Sequence, residues 1–428
     1  VRNIMIRGFE SLDNYGTGMM GLVAIDRLHR QLGGRNRFHV DLFPEASLDE
    51  VRAELGARER PDLEVVRTVR AQERSEGRLS RVIGQLPLVG STRNIDLFVV
   101  LGGDTLSEVY TLRSWRYILA MRLWALDAPV AVLGHTIGPF ATARNRRAMR
   151  HLAPALHVFP RDRWTTEYLE AEFGLRAPNV VQGTDLAWSD LPLQHRTDIR
   201  DATLAEHGLE DGGFATLIVS GLQAKRKFYT TDTDLYFQRY ADLAQTILER
   251  PDMADARLTL LAHTHGKLYG DEPAFIREVM GRLPETARSR VVAVTDRVLQ
   301  ARARFILGAG RFTVTGRMHP AVSTFQMGKP AVSLAYSPKY EGVIGTMLGR
   351  QDLIIDAAQP DLWSSGAILD RIHDRLDYAA ANRERLAGEI RDSVARQKAL
   401  LDGMFVRVAA LAKGAGAERA LSGDRRDG

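Results

Sequence analysis

The 428-residue sequence contains no cysteine. That excludes disulfides, thiolate metal sites and a cysteine nucleophile, and it leaves the redox compartment undecided. Aromatic residues make up only 7%, and they are not interleaved with basic residues, which argues against a stacking platform for single-stranded nucleic acid. Basic residues are scattered and match no recognised nucleic-acid motif, so no nucleic-acid partner is expected. Long apolar runs are also missing. The longest, such as 95–101 and 129–133, are strand-sized and far short of the roughly 18 residues a membrane span requires. The first residues, VRNIMIRGFESL, lack the apolar core of a signal peptide. The expected location is therefore cytoplasmic, with the inner membrane face left open.

What is present is an ordinary globular composition, 45% hydrophobic and 26% charged, with a formal net charge of +5. Such a mild positive balance fits an anionic substrate, and it is compatible with peripheral association at an anionic membrane. The length exceeds one ordinary hydrophobic core, so two domains are expected.

Short β-rich runs alternate with helical spacing along the chain, which predicts α/β architecture. Residues 3–7, 38–43, 63–68, 95–101, 129–133, 156–160 and 180–184 read as strands of a first domain over 1–190. Residues 214–220, 258–262, 291–294, 312–315, 331–336 and 352–356 read as strands of a second domain over 214–375. Helices over 376–411 are expected to pack back on the first domain, and 412–428 read as a disordered polar tail.

In open α/β sheets, ligands bind at the carboxyl ends of the strands, and this chain repeatedly deposits polar residues there. Asn14, Gly16 and Gly18 sit in a glycine-rich turn after the first strand, suited to holding an anion at a helix N-terminus or simply to tight packing. The run IDLFVVL ends in Gly-Gly-Asp, placing Asp104 at the edge, either for chemistry or as a helix cap. His135 follows the strand PVAVL, in either a functional or a structural role. Arg161 and Asp185 follow the next two strands. In the second half, Arg226 lies in a cationic patch, and His263 and His265 with Asp271 lack confident metal-ligand spacing. The stretch FTVTGRMHPAVSTFQMGKPAVSLAYSPKYEGVIG reads as strand, polar turn, helix, glycine stop and strand. It brings Arg317, His319 and Lys339 to the same kind of edge.

With these motifs in place, the chain resembles the polysaccharide pyruvyl transferase family. The resemblance is carried by NYGTGMMG, VVLGG, GHTIGPF, FPRDRWTTEYL with TDLAW, and VTGRMHPAV…GKPAVSLAYSPKYEG, from the first glycine loop to about Gly345. It implies two Rossmann-like domains in a GT-B-like arrangement with an interdomain cleft, an acceptor side in the first domain and a donor side in the second. It also implies transfer from phosphoenolpyruvate onto hydroxyls of a sugar or lipid-linked glycan in polysaccharide or exopolysaccharide biosynthesis. Neither a cofactor nor a metal is expected, and homo-oligomerisation is left open. Arg317 and His319 match the family's paired arginine and histidine. Arg317, Arg161, Arg226 and Lys339 are then donor-binding candidates, and His319 and Asp104 the catalytic ones. Asn14, Gly16, Gly18 and His135 are candidates for the acceptor or phosphate loop. Two departures stand out. Thr17 and Gly18 occupy a region where many relatives carry a carboxylate, and Gly-Gly-Asp replaces a frequent triple glycine, with Glu108 nearby. A nucleotide-sugar glycosyltransferase and a non-catalytic glycan- or phosphate-binding protein of the same fold are the alternatives.

Overall fold

The computed structural model describes residues 1–43, 46–68, 94–109, 111–220, 232–266 and 271–423, with side chains described as far as residue 415. Arg226 and most of the basic segment 69–94 lie outside the described residues.

The chain divides into two compact units. One comprises Val1–Ser11, Thr17–Pro192 and Lys398–Gly428, and the other Leu12–Gly16 and Leu193–Gln397. Of the segment 376–411, residues up to Gln397 thus group with the second unit and those from Lys398 with the first.

Each unit is built on a parallel six-stranded sheet. In the first the strands are β1 (Arg2–Arg7), β2 (Asn36–Val40), β3 (Leu63–Arg67), β4 (Leu97–Leu101), β5 (Val130–Leu133) and β6 (His157–Phe159). Their order is β3-β2-β1-β4-β5-β6. The second sheet holds β7 (Phe214–Ile218), β8 (Arg257–Leu261), β9 (Val291–Val294), β10 (Thr313–Thr315), β11 (Ala331–Ala335) and β12 (Ile354–Asp356). Its order is β12-β11-β10-β7-β8-β9, the same winding. Helices cover both faces of such sheets, so central strands read as continuous apolar runs. Every residue of β5, β7 and β11 is buried accordingly. The order of strands reverses between β1 and β4 in one sheet and between β7 and β10 in the other. Those two crevices are where a doubly wound sheet opens to a ligand.

Three local readings of the sequence change. First, α1 (Tyr15–Leu32) begins inside the glycine-rich stretch, not at Leu22. Gly16 and Gly18 are helical, because Tyr15 N–H is tied to the His263 carbonyl and Asn14 bridges Thr264. Second, the segment 180–184 is not a strand. Only an isolated bridge joins Val158 to Val180, and the chain then enters a short 3-10 turn at Leu186–Trp188 capped by Asp185. Third, the long C-terminal helix continues to Gly423, through most of the expected tail. Alanine is frequent there, and extending an existing helix avoids the cost of nucleation.

Glu108 shows how a loop acid can hold a helix in place. It accepts bonds from the N–H groups of Ala141 (2.9 Å) and Thr142 (3.1 Å), the Thr142 hydroxyl (2.7 Å) and the Asn145 amide (2.6 Å). These bind the start of α4 (Ala143–Leu152); α2 and α3 are Leu48–Glu54 and Ser114–Trp124. Partial burial pushes the Glu108 carboxyl up, yet the four donors outweigh it and hold it below the ordinary carboxylate range. Glu108→Ala should therefore cost about 1–2 kcal/mol in chemical denaturation, the range of a lost cap with stranded donors. A change within a few tenths of a kcal/mol would refute this anchoring role.

Candidate functional site

In the second unit, β10 ends at Thr315, Gly316 turns the chain, and α11 (Met318–Gln326) begins. The helices between α4 and α11 are α5 (Arg163–Phe173), α6 (Thr197–Glu206), α7 (Thr233–Leu248), α8 (Glu272–Arg282), α9 (Glu285–Arg288) and α10 (Leu299–Ala309). Arg317 stands at the start of α11 with extended backbone, its N–H accepted by the Thr315 hydroxyl at 2.9 Å. Its guanidinium is buried. Nε donates to Glu272 Oε1, and Nη2 donates to the Thr264 hydroxyl at 2.9 Å. Glu272 has no solvent exposure, and its other oxygen accepts the N–H groups of His263 (2.7 Å) and Thr264 (3.0 Å). Burial pushes the Glu272 carboxyl up, opposed by Arg317 and by these backbone donors. The plane of the Arg317 side chain is thus set from β8's exit loop and the first turn of α8.

Around this pair lie groups on the segment 12–16. His319 packs directly on Gly16, where an added Cβ would fall 2.1 Å from Nδ1 and 2.9 Å from Cβ of the histidine. Tyr15 packs against His263 and His265 with ring centroids 5.2 and 5.6 Å away, and its hydroxyl meets His265 Nε2 at 3.1 Å. Burial pushes the Tyr15 phenol up, and the backbone amides of Leu299 and Val298 oppose that. Leu299 adopts a φ of 64°, the left-handed region that is strained for a residue with a Cβ. Asp13 pairs with Arg297 at 2.6 Å, and Gln300 donates to the Leu12 carbonyl at 2.8 Å. His263 is 1% exposed, and both of its ring nitrogens are buried without a hydrogen-bond partner among the described residues.

The first unit gathers a second polar cluster. Arg161, 1% exposed, directs Nε to the Thr136 hydroxyl (2.9 Å), Nη1 to Asp185 Oδ2 (3.1 Å) and Nη2 to Asp104 Oδ1 (2.6 Å). Burial acts to lower its pKa, but Asp104, Asp185 and Asp162 outweigh this and raise it. One arginine therefore ties together the exits of β4, β5 and β6 and the segment before Asp185. Asp162 caps α5 and accepts from Thr136 at 2.8 Å. No helix directly follows Asp104, whose carboxylate goes to Arg161.

Beside this cluster a cavity of about 420 Å³ opens at the β1/β4 crevice, lined by Arg7, Asp41, Thr17, Gly102, Gly103 and His135 among others. Gly102 is needed there, because a Cβ would lie 2.2 Å from the Gly134 carbonyl oxygen. His135 is buried; burial lowers its pKa first and Arg161 second, to about 4, with Asp104 opposing.

The structure brings Arg317, His319, Gly16 and Asn14 into one neighbourhood of the second unit, and Asp104, Arg161 and His135 into one of the first. Gly18 is buried within α1. Lys339 donates to the Tyr336 hydroxyl at 3.1 Å, in the loop after β11. Asp271 caps α8. Sequence reasoning missed Glu272, whose only local signal was a helix-start pattern, and gave His263 no role beyond a doubtful metal pair.

Comparison with known proteins bears on the family and the fold. The family model described as polysaccharide pyruvyl transferase matches residues 40–338. UDP-GlcNAc 2-epimerase from Neisseria meningitidis, bound to UDP-GlcNAc, superposes with a TM-score of 0.58 at 10% identity, covering 91% of this chain and 94% of that one. The S. aureus MnaA–UDP co-structure gives 0.57 at 13% identity, covering 91% and 90%. A glycosyltransferase from Rickettsia africae ESF-5 gives 0.56 at 11% identity, covering 96% and 98%. At such identities the likeness is one of fold: α/β, with two Rossmann-like sheets of the GT-B-like class that the sequence led us to expect.

Two measurements test the local geometry. Gly16→Ala should cost about 1–3 kcal/mol in denaturation, because the His319 ring must shift away from the new methyl; unaltered stability would contradict the close approach. The two buried histidines also set a pH dependence. His263 is held well below its ordinary value, by burial first and then by Arg317. A histidine with a folded pKa below its unfolded value of about 6.5 takes up a proton on unfolding. Its contribution is complete above that value and is lost as pH falls through the window toward the folded pKa. For His135, the drop to about 4 corresponds to roughly 3 kcal/mol at most. Melting temperature should fall as pH drops from about 7 to about 5, and His135→Gln should flatten the slope. An unchanged slope in that variant would rule out His135 as a source.

Proposed function

Because this chain belongs to the polysaccharide pyruvyl transferase family, and is a transferase of polysaccharide modification, we propose that it uses phosphoenolpyruvate to form a cyclic pyruvate ketal on two hydroxyls of a glycan precursor. The observation that carries this reading is the buried Arg317, held in plane by Glu272 and Thr264 at the switch-point end of β10. A planar guanidinium held this way suits bidentate recognition of a carboxylate or phosphate, and the donor carries both.

In the proposed reaction a proton is added to the donor's methylene carbon, leaving positive charge at C2. One sugar hydroxyl attacks C2, phosphate departs with the C2–O bond electrons, and the second hydroxyl closes the ketal. The two hydroxyl protons balance the one consumed at the methylene and the one carried off by phosphate. His319 is assigned the proton delivered to carbon, a role within the range of imidazole near neutral pH. His263, neutral and with two unsatisfied ring nitrogens, is assigned a hydrogen bond to the anionic donor; a buried polar group without a partner is costly until a ligand supplies one. In the first unit, Asp104, held by Arg161, is the candidate to orient an acceptor hydroxyl or take its proton. Lys339 and Arg226 remain donor-side candidates.

The cavity at the β1/β4 crevice is our candidate for the acceptor. Its size and its mix of Arg7, Asp41 and His135 with aromatic walls suit a sugar. Thr17 lines it where a carboxylate would be expected by family resemblance, so a neutral hydroxyl stands at that point of the wall.

Incubation with phosphoenolpyruvate and candidate glycans should release phosphate and produce a ketal methyl resonance. Arg317→Ala and His319→Ala should each lower kcat/KM by about 100-fold or more. Glu272→Gln should also impair donor use, because it strands the arginine. Undiminished activity in both the Arg317 and His319 variants would overturn their roles. Turnover only with a nucleotide sugar would overturn the reaction class.

A further inference from the structure

The helix α3 (Ser114–Trp124) carries two different faces. Tyr117, Ala120, Met121 and Trp124 line the cavity at the β1/β4 crevice. Leu119 and Leu123, one turn apart, and Leu126 just past the helix end point elsewhere, and they are 36%, 38% and 67% exposed. Leu112, immediately before the helix, is 66% exposed. A single exposed leucine needs no explanation, but four along one element form an apolar ridge that no described part of the first unit covers.

The charge around this ridge is predominantly positive. α4 packs beside α3, joined by the Trp115 N–H to Asn145 Oδ1 at 2.8 Å. Arg116 and Arg144 both lie against the Trp115 ring, at 5.4 and 5.2 Å. The two helices together carry Arg116, Arg122, Arg144, Arg146, Arg147 and Arg150, and neither contains an aspartate or glutamate. Among the acids nearby, Glu172 pairs with Arg146 and Glu108 faces the start of α4; Asp127 follows the helix.

We propose that this leucine–arginine face docks on an anionic lipid bilayer. The leucines enter the boundary between headgroups and acyl chains, and the arginines meet lipid phosphates. A second copy of the chain is a poor occupant, because an isologous contact would oppose like-charged arginines. Docking through this ridge keeps the cavity, on another face of the same helix, beside the surface on which a lipid-anchored glycan is presented. The inference stands on exposure and charge, and it does not depend on the identity of the transferred group.

The test is co-sedimentation of the intact protein with vesicles of phosphatidylcholine alone and of equal parts phosphatidylcholine and phosphatidylglycerol. Binding should be confined to the anionic vesicles and should weaken with added salt. Leu119→Glu with Leu123→Glu should reduce it at least about tenfold. Arg147→Glu with Arg150→Glu, on exposed positions of α4, should reduce it by about fivefold or more for each arginine lost. The proposal is overturned by no binding to anionic vesicles, by both double variants binding as well as the unaltered protein, or by a dimer in solution that the leucine variants dissociate. Capture of an acidic protein partner by this face, with vesicles ignored, also overturns it.

Discussion

The buried ion pair between Arg317 and Glu272 is the constraint on which the second unit's polar edge depends. A charge taken out of water is tolerable only when paired and hydrogen-bonded, and breaking one partner strands the other. Glu272 meets this by lying in the first turn of α8, where the helix end favours an anion, and by accepting two backbone N–H groups besides the guanidinium. That single carboxylate joins the exit of β8, the start of α8 and the turn after β10. The first unit solves the same problem with the sign reversed. Arg161 is the hub, and the carboxylates of Asp104 and Asp185 arrive from neighbouring segments.

Both hubs lie at carboxyl ends of parallel strands, and the repeated winding of the two sheets explains why. Reversal of strand order leaves a crevice between β1 and β4 and another between β7 and β10. Side chains that leave the strands at those points cannot all be apolar without closing the crevice, and they cannot be charged without partners. The outcome is a division of labour. Some groups hold, such as Glu272, Thr264, Arg161 and Asp162. Others remain neutral and buried, His263 and His135 among them, with their protonation suppressed by burial and by the adjacent arginine. The reaction proposed above requires anion recognition and proton movement, and such an edge carries residue types suited to both.

Much of the architecture was legible because it is written in local periodicity. Buried, largely apolar runs such as VAVL and FATLI admit little besides a buried parallel strand, and the residues that follow them mark the carboxyl-end edge of the sheet. The failures have physical causes. Helix α1 begins seven residues before its regular apolar spacing, because contacts from Asn14 and Tyr15 to residues 263 and 264 override the poor helical propensity of Gly16 and Gly18. Residues 180–184 look like a strand, yet β6 pairs with them only at Val180, and the chain is diverted into the turn that Asp185 caps.

The sequence by itself determined the alternation of strands and helices, the two-unit organisation, and the presence of Asp104, His135, Arg161, Arg317 and His319 at strand ends. These follow from spacing within a few residues, where side-chain periodicity and turn chemistry act. Only the tertiary structure decided which charges meet. It paired Arg317 with Glu272 across 45 positions and Arg161 with Asp104 across 57; it left the His263 ring nitrogens without a hydrogen-bond partner among the described residues and set His319 against Gly16. Such pairings depend on strand order and burial, and no local pattern encodes the cost of an unpaired charge at a distant sheet edge. The stretch around Arg317 thus named its own candidate groups, while the fold supplied what holds them.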